Sequence, residues 1–192
     1  MTQQPVAVNR TSTAAWAAAL AAAASCLLAV AAQLILPARG YEWILLVLLT
    51  AAAVWAAVID VRTLRLPNCL SAGIASAALV QAGALAIATG NIGRLWQPIL
   101  AAAIVGILYL GMGLLHWCGL GDVKFATAVA LAVALTSGLT AIYIVPLALL
   151  VGAGQVGIRR ALGRTGKHAH GPAAAAGGVI VMAAAILLHG AS

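Results

Sequence analysis

The chain has 192 residues, of which 65% are hydrophobic and only 7% are charged, and its mean hydropathy is +1.12. This composition excludes a soluble globular domain, which needs far more polar surface, and it predicts that lipid is the main solvent of the chain. The formal net charge of +7 does not indicate nucleic-acid binding, because the basic residues lie in short segments between apolar stretches and not on a polar face with interleaved aromatic residues.

Seven apolar stretches bounded by Gly, Pro or charged residues predict membrane-spanning helices, because a helix needs about 20 apolar residues to cross the hydrocarbon core. In chain order the predicted helices run over residues 13–36, 41–59, 70–89, 98–117, 123–136, 140–158 and 173–188. We therefore expect an all-α, polytopic transmembrane bundle of about seven spans with no soluble domain. Six spans are the alternative, if the first stretch is misread or removed.

The predicted domain organisation is simple. A polar N-terminal tail, 1–12, precedes a single membrane-embedded domain, 13–192, whose motif-bearing core is 41–190. A signal peptide ending near Cys26 is an alternative reading of the N-terminus, but the apolar run continues to Leu36 and is too long for a signal core. The three cysteines of the chain are widely spaced, so they predict neither a metal site nor a redox pair.

The distribution of basic residues predicts the orientation of the bundle. Alternate loops carry most of the positive charge, which comes from Arg62, Arg65, Lys124, Arg159, Arg160, Arg164 and Lys167. Under the positive-inside rule these loops face the cytoplasm, and Arg39 and Arg94 form the minority outside.

The chain holds only three acidic residues, Glu42, Asp60 and Asp122. Asp60 ends the second predicted helix and Asp122 opens the fifth, so the predicted topology places both carboxyl groups at the cytoplasmic edge of the membrane. Because an ionisable group at membrane depth is costly, its presence is by default a functional hypothesis. The structural alternative is that Asp60 pairs with a nearby arginine and that Asp122 caps a helix. Glu42 is interpreted as an interfacial acid on the outer side.

Asp122 lies in the segment Gly119-Leu120-Gly121-Asp122-Val123-Lys124. Gly119 and Gly121 remove side chains from the backbone beside the acid, which would let a second chain approach closely. Lys124 either orients this loop or meets an acidic group of a substrate, or it serves only as a topology anchor.

The Asp60 segment continues through Leu66-Pro67-Asn68. Pro67 forces an extended conformation on the residue before it, and Asn68 can cap the third predicted helix. The segment therefore predicts a defined turn beside the first acid.

Together, the GxGD segment with its trailing lysine and the Asp followed at fixed spacing by Leu-Pro-Asn resemble the motifs of prepilin peptidases. The resemblance spans residues 60–178 and is greatest to the short form associated with Flp or Tad pili. It implies a polytopic aspartyl protease of the bacterial inner membrane that removes the cytoplasmic leader from prepilins or pseudopilins without a metal or cofactor. It also implies that Asp60 and Asp122 are the catalytic pair, and that the residues shaping the site or the substrate loop are Gly119, Gly121, Lys124, Pro67, Asn68, Gly171 and Pro172.

Two departures from the family pattern are visible. His170-Gly171-Pro172 falls where such enzymes usually carry an aromatic residue before Gly-Pro, so a histidine replaces the aromatic ring. Asn68 stands where longer, bifunctional relatives often have Asp, and the cysteine-rich cytoplasmic insertion of those relatives is missing. Methyltransferase activity is therefore not predicted.

Rival functions predict other patterns. A small proton- or cation-coupled transporter would place acids at mid-membrane and would show repeated halves, and the sequence shows neither. A non-catalytic assembly factor for pili or secretion would tolerate loss of either Asp. A presenilin-type protease shares GxGD but would carry a tyrosine in place of Ile59. The GxGxxG pattern at 152–157 lies within an apolar helix with no preceding strand, so it does not predict nucleotide binding.

Overall fold

The computed structural model describes residues 40–63, 68–163 and 170–190. These residues form six α-helices and one short 3-10 helix. The α-helices are α1 (Gly40–Thr63), α2 (Asn68–Thr89), α3 (Gly93–Leu114), α4 (Leu120–Ser137), α5 (Ile144–Ala161) and α6 (Gly171–Gly190), and the 3-10 helix (Gly138–Tyr143) joins α4 to α5. The all-α prediction is confirmed for the part of the chain described, while the first predicted helix, 13–36, lies outside it.

The helix ends differ from the predicted ones where local hydrogen bonds decide them. Helix α3 begins at Gly93, five residues before the predicted start at Pro98, and the Asn91 side-chain oxygen accepts the N–H of Gly93 at 2.9 Å in the turn before it. Helix α4 ends at Ser137, and the next residue, Gly138, has a φ of 58° that suits a residue without a Cβ atom. The 3-10 helix that follows includes residues 140–143, which were predicted to begin the sixth helix.

Neighbouring helices pack in antiparallel pairs through small residues. On α3, Gly106 faces Thr127 and Gly113 faces Val123, so the end of α3 meets the beginning of α4. On α6, Gly177 faces the backbone of Ala148.

The beginning of α6 lies beside the second half of α5, because Gly152 faces Ala173. The last residues of α3 and α5 and the first residues of α4 and α6 therefore share one end of the bundle, which we call the Asp122 end.

Helix α4 is the central helix of the bundle and packs against α2, α3 and α6. Most of its side chains are small and buried, which permits close approach between helices where lipid supplies no hydrophobic driving force. The large side chains that are fully buried between the helices include Tyr109, Phe125, Ile144 and Met182.

Within the described residues, four helical stretches are long and apolar enough to cross a membrane, namely Asn68–Thr89, Gly93–Leu114, Leu120–Ala161 and Gly171–Leu188. The third stretch has 42 residues and contains both α4 and α5, and α1 contributes a shorter apolar stretch, Glu42–Ala56. The predicted count of about seven spans is therefore not confirmed.

The charges of the described loops are unequally distributed. Lys124 begins α4, and Arg159 and Arg160 lie in the last turn of α5, so all three lie at the Asp122 end. Arg94, in the first turn of α3, lies at the opposite end.

Candidate active site

Asp122 is the third residue of α4 and is half-buried. Its Oδ2 atom accepts the backbone N–H of Gly119 at 2.9 Å, and the N–H groups of Asp122 and Val123 donate to the Gly119 carbonyl at 3.0 and 3.3 Å. Asp122 therefore does cap its helix, where the positive end of the helix dipole favours a carboxylate. Among the described residues Oδ1 accepts no hydrogen bond, so this oxygen remains available for chemistry.

Gly119 adopts an extended conformation, with φ −86° and ψ 159°, that any residue can adopt. A Cβ atom added there would meet only ordinary contacts, the nearest being the Asp122 Oδ2 atom at 3.5 Å. The fold of this chain therefore does not itself require glycine at position 119. The residue is exposed, so the space that glycine leaves open faces outward, beside the acid.

The second motif meets the first at this end of the bundle. The Nζ atom of Lys124 donates a hydrogen bond to the Oδ1 atom of Asn68 at 3.2 Å, which joins the first turn of α4 to the first residue of α2. The side chain of Asn68 thus contacts the residue two positions after Asp122. Asp60 lies in the last turn of α1, three residues before the helix ends. Its side chain, like the whole of Pro67, lies outside the described residues, so its distance from Asp122 is not described.

We expect Asn68→Ala and Lys124→Ala to lower the rate of substrate cleavage by a similar factor, about two- to fivefold, because each removes the same contact between the two motifs. The double variant should be no slower than the single variants, since there is only one contact to lose. Cleavage rates of the three variants in membranes provide the double-mutant cycle. Additive losses would show that the two side chains act independently. The stability changes should be small, because exposed polar contacts contribute below about 1 kcal/mol.

The turn between α3 and α4 is held by its backbone. The N–H of His116 donates to the Gly113 carbonyl at 3.0 Å and the N–H of Trp117 donates to the Met112 carbonyl at 3.0 Å, a Schellman pattern. His116 has a φ of 62°, a conformation that costs a residue with a Cβ about 1–2 kcal/mol. This turn places Cys118 beneath α3, where its Sγ atom donates to the Tyr109 carbonyl at 3.6 Å.

Cys118 lies in the turn before the GxGD segment, and the charge of Asp122 affects its thiol. Burial of the thiol, followed by the negative charge of Asp122, raises the pKa of Cys118 to about 11. Because a thiol is a nucleophile only as the thiolate, Cys118 is unreactive at neutral pH.

Alkylation of Cys118 should therefore report the charge of Asp122. With Cys26 and Cys69 replaced by Ser, the rate of reaction with iodoacetamide should be low at pH 8 and should rise with pH towards 11, since the thiolate fraction rises with it. Asp122→Asn removes the negative charge, lowers the pKa of Cys118 and should accelerate alkylation at pH 8 about two- to fivefold. Equal rates in the two proteins would show that Asp122 carries no charge near this thiol.

His170 precedes α6 and is buried, and its carbonyl accepts the N–H groups of Ala173 and Ala174 at 3.0 and 3.3 Å. Its ring packs against the ring of Tyr109, with 5.8 Å between centroids and 53° between planes. The His170 ring therefore packs against Tyr109 as an aromatic ring does. Gly171 and Pro172 form the first turn of α6, at the Asp122 end, and their predicted role in the substrate loop stays a prediction.

Tyr109 is a neighbour of the candidate site, and no sequence motif indicates its presence there. It lies within an apolar stretch, thirteen residues before Asp122, and no motif contains it. Only the antiparallel packing of α3 on α4 brings it beside the GxGD turn and the His170 segment. In the part of the chain described, no group of three or more His, Cys, Asp or Glu side chains is arranged to hold a metal ion.

The apolar helices and the meeting of the two motifs at one end of the bundle define a multi-pass α-helical membrane protein with a polar site at its edge. The sequence model of the type IV leader peptidase family matches residues 43–157, which is more than half of the chain and includes both Asp60 and Asp122. The chain belongs to the type IV leader peptidase family, and it is thus related to proteases of the aspartic type. No curated protein and no solved structure matches the chain significantly.

Proposed function

We propose that this protein is an aspartic endopeptidase that removes the leader peptide from type IV prepilins or pseudopilins of the Flp or Tad kind, with Asp60 and Asp122 as the catalytic pair. The observation that carries the proposal is the hydrogen bond from Lys124 to Asn68, because it joins the two motifs at one end of the bundle. Family membership supports the proteolytic activity.

The proposed chemistry needs two carboxyl groups that share one proton. The ionised carboxyl takes a proton from a water molecule as the water attacks the scissile carbonyl, and the protonated carboxyl donates its proton to the carbonyl oxygen. Two carboxyl groups held close together do not both ionise readily, which would allow one of them to accept a proton while the other donates one. In Asp122 the Gly119 N–H donates to Oδ2, and Oδ1 accepts no hydrogen bond from the described residues.

The proposed substrate carries a short basic leader followed by an apolar helix. An apolar helix in the bilayer would present its cleavage site at the membrane edge, and Asp122 lies in the first turn of an apolar helix, α4. An extended substrate strand would lie against the exposed backbone of Gly119, where no side chain blocks it. The basic residues Lys124, Arg159 and Arg160 at this end support a cytoplasmic site in the bacterial inner membrane under the positive-inside rule.

The rival functions receive less support. A proton- or cation-coupled transporter is not favoured, since the family is one of leader peptidases. A non-catalytic assembly factor remains distinguishable by experiment, because it would retain its function without either carboxyl group.

The proposal is tested by co-expressing the protein with a tagged Flp-type prepilin in a host that lacks other prepilin peptidases. We expect leader removal in the membrane fraction, seen as a shift in electrophoresis and as a new N-terminus in the mass spectrum. The same spectrum reports N-terminal methylation, which is not expected. A pseudopilin substrate tested in parallel distinguishes the two substrate kinds. Failure of the folded, membrane-inserted protein to process either substrate would contradict the proposal.

A further inference from the structure

Tyr109 lies between two parts of the candidate site. One is the beginning of α6, and the other is the turn before the GxGD segment. Its side chain is completely buried, with 0% exposure. Its ring packs on His170 at the beginning of α6, and its carbonyl accepts the thiol of Cys118 from the turn before the GxGD segment. The residue therefore contacts both elements that flank the proposed proteolytic site.

The hydroxyl group of Tyr109 has no hydrogen-bond partner among the described groups. A buried hydroxyl without a partner is unfavourable, and native proteins rarely leave one unsatisfied unless the site has a use for it. A donor held in this state next to a proteolytic site is suited to bind a group that arrives or moves during the reaction, because catalytic hydrogen bonds often form only in the complex with substrate.

Among the described residues, three titratable groups lie near Tyr109, and they differ in the hydrogen bond that each could form with its hydroxyl group. Cys118, in the turn, already donates its thiol hydrogen to the Tyr109 carbonyl. His170, before α6, presents its ring to the tyrosine ring. Asp122, on α4, adjoins Val123, which faces Gly113 one turn after Tyr109 on α3, and its Oδ1 atom accepts no hydrogen bond from the described residues. A carboxylate is also the strongest acceptor of the three.

We propose that Tyr109 is a positioning residue of the proteolytic site, whose hydroxyl donates a hydrogen bond to the Asp122 carboxylate when substrate is bound. This inference rests on the proposed function. A hydrogen bond to an ionised carboxylate favours that form. The bond would therefore hold Asp122 as the ionised, proton-accepting member of the pair and would leave Asp60 as the proton donor.

The test is the pH dependence of cleavage by Tyr109→Phe, which keeps the ring and removes only the hydroxyl. With the purified protein in lipid and a Flp-type prepilin, we expect kcat near pH 6 to fall about tenfold, KM to stay within about twofold, and the acid limb of the kcat profile to move up by about one pH unit. The limb moves up because the accepting carboxyl ionises less readily without its donor.

Matched variants separate this role from a structural one. Tyr143→Phe removes a hydroxyl from an exposed tyrosine in the 3-10 helix and should leave kcat and the profile unchanged. In a His170→Phe background, Tyr109→Phe should shift the acid limb by the same amount, which excludes His170 as the origin of the limb. Thermal unfolding of each variant reports whether it is folded.

Several outcomes would overturn the inference. These are an unchanged profile for Tyr109→Phe, a lower kcat with an unshifted acid limb, and a rise in KM alone. The proposed function fails separately, if Asp60→Asn and Asp122→Asn both process prepilin normally. Inactive aspartate variants together with a Tyr109→Phe profile like that of the wild type would overturn only the role of Tyr109.

Discussion

Replacing Asp122 or Asp60 by Asn is expected to abolish leader removal, with a loss of kcat/KM of at least about 10³-fold for either variant. An amide neither accepts the proton of the attacking water nor donates a proton to the scissile carbonyl, so each substitution removes one half of the acid–base pair. The double variant should be no worse than the single ones, because groups that act as a unit lose their function together. Quantitative analysis of prepilin processing in membranes measures this loss.

The structure makes Asp122→Asn an informative variant. The asparagine side-chain oxygen can still accept the N–H of Gly119, so the start of α4 should keep its cap and the protein should stay folded. Glu42→Gln is the matched control, because Glu42, in the first turn of α1, is the third acidic residue of the chain and lies outside the proposed site. It should process prepilin at the normal rate. Full processing by either aspartate variant would refute the catalytic pair.

Substituting Gly177 should cause a large loss of stability, because this glycine of α6 lies against the backbone of α5. A Cβ atom at this position would lie 3.0 Å from the carbonyl oxygen of Ile144 and 3.2 Å from the backbone nitrogen of Ala148. Backbone atoms of α5 cannot rotate away as a side chain can, so α6 must move outward. We expect Gly177→Ala to lower the free energy of unfolding by about 1–3 kcal/mol and Gly177→Leu to lower it further.

Gly154→Ala is the matched control on the facing helix, since a Cβ atom there would meet nothing within 4 Å. Its stability should equal or slightly exceed that of the wild type, because alanine favours the helix by up to about 1 kcal/mol over glycine. Unfolding followed by circular dichroism in detergent compares the two variants. Equal stability of Gly177→Ala and wild type would show that the close packing of α5 on α6 is not maintained in solution.

The helices of this protein could be located from the sequence because their apolar stretches are long and their breaks carry Gly, Pro or charge. The predicted first and last residues of the helices agreed less well with the structure. Helix α3 begins five residues before its predicted start, and the 3-10 helix Gly138–Tyr143 delays the start of α5 to Ile144, because hydropathy does not report the local backbone geometry that sets these limits. The expected start of a helix at Asp122 was confirmed within three residues.

The candidate site was only partly accessible from the sequence. The motifs indicated Asp122, Lys124 and Asn68, but their spacing along the chain did not show that Lys124 bonds to Asn68. Tyr109 was missed altogether, because a tyrosine within an apolar helix resembles any other packed or interfacial residue until the neighbouring helix is in place.

The sequence by itself determined the solvent, the helical class and the chemical groups of this protein, because composition, apolar length and a small number of carboxyl groups are properties of the chain alone. Only the tertiary structure decided which groups meet. The antiparallel packing of α3 on α4 and of α5 on α6 brings Tyr109, Cys118 and His170 to the Asp122 end, across separations of up to sixty-one residues along the chain. Such contacts depend on how small residues let helices approach, which no local pattern specifies.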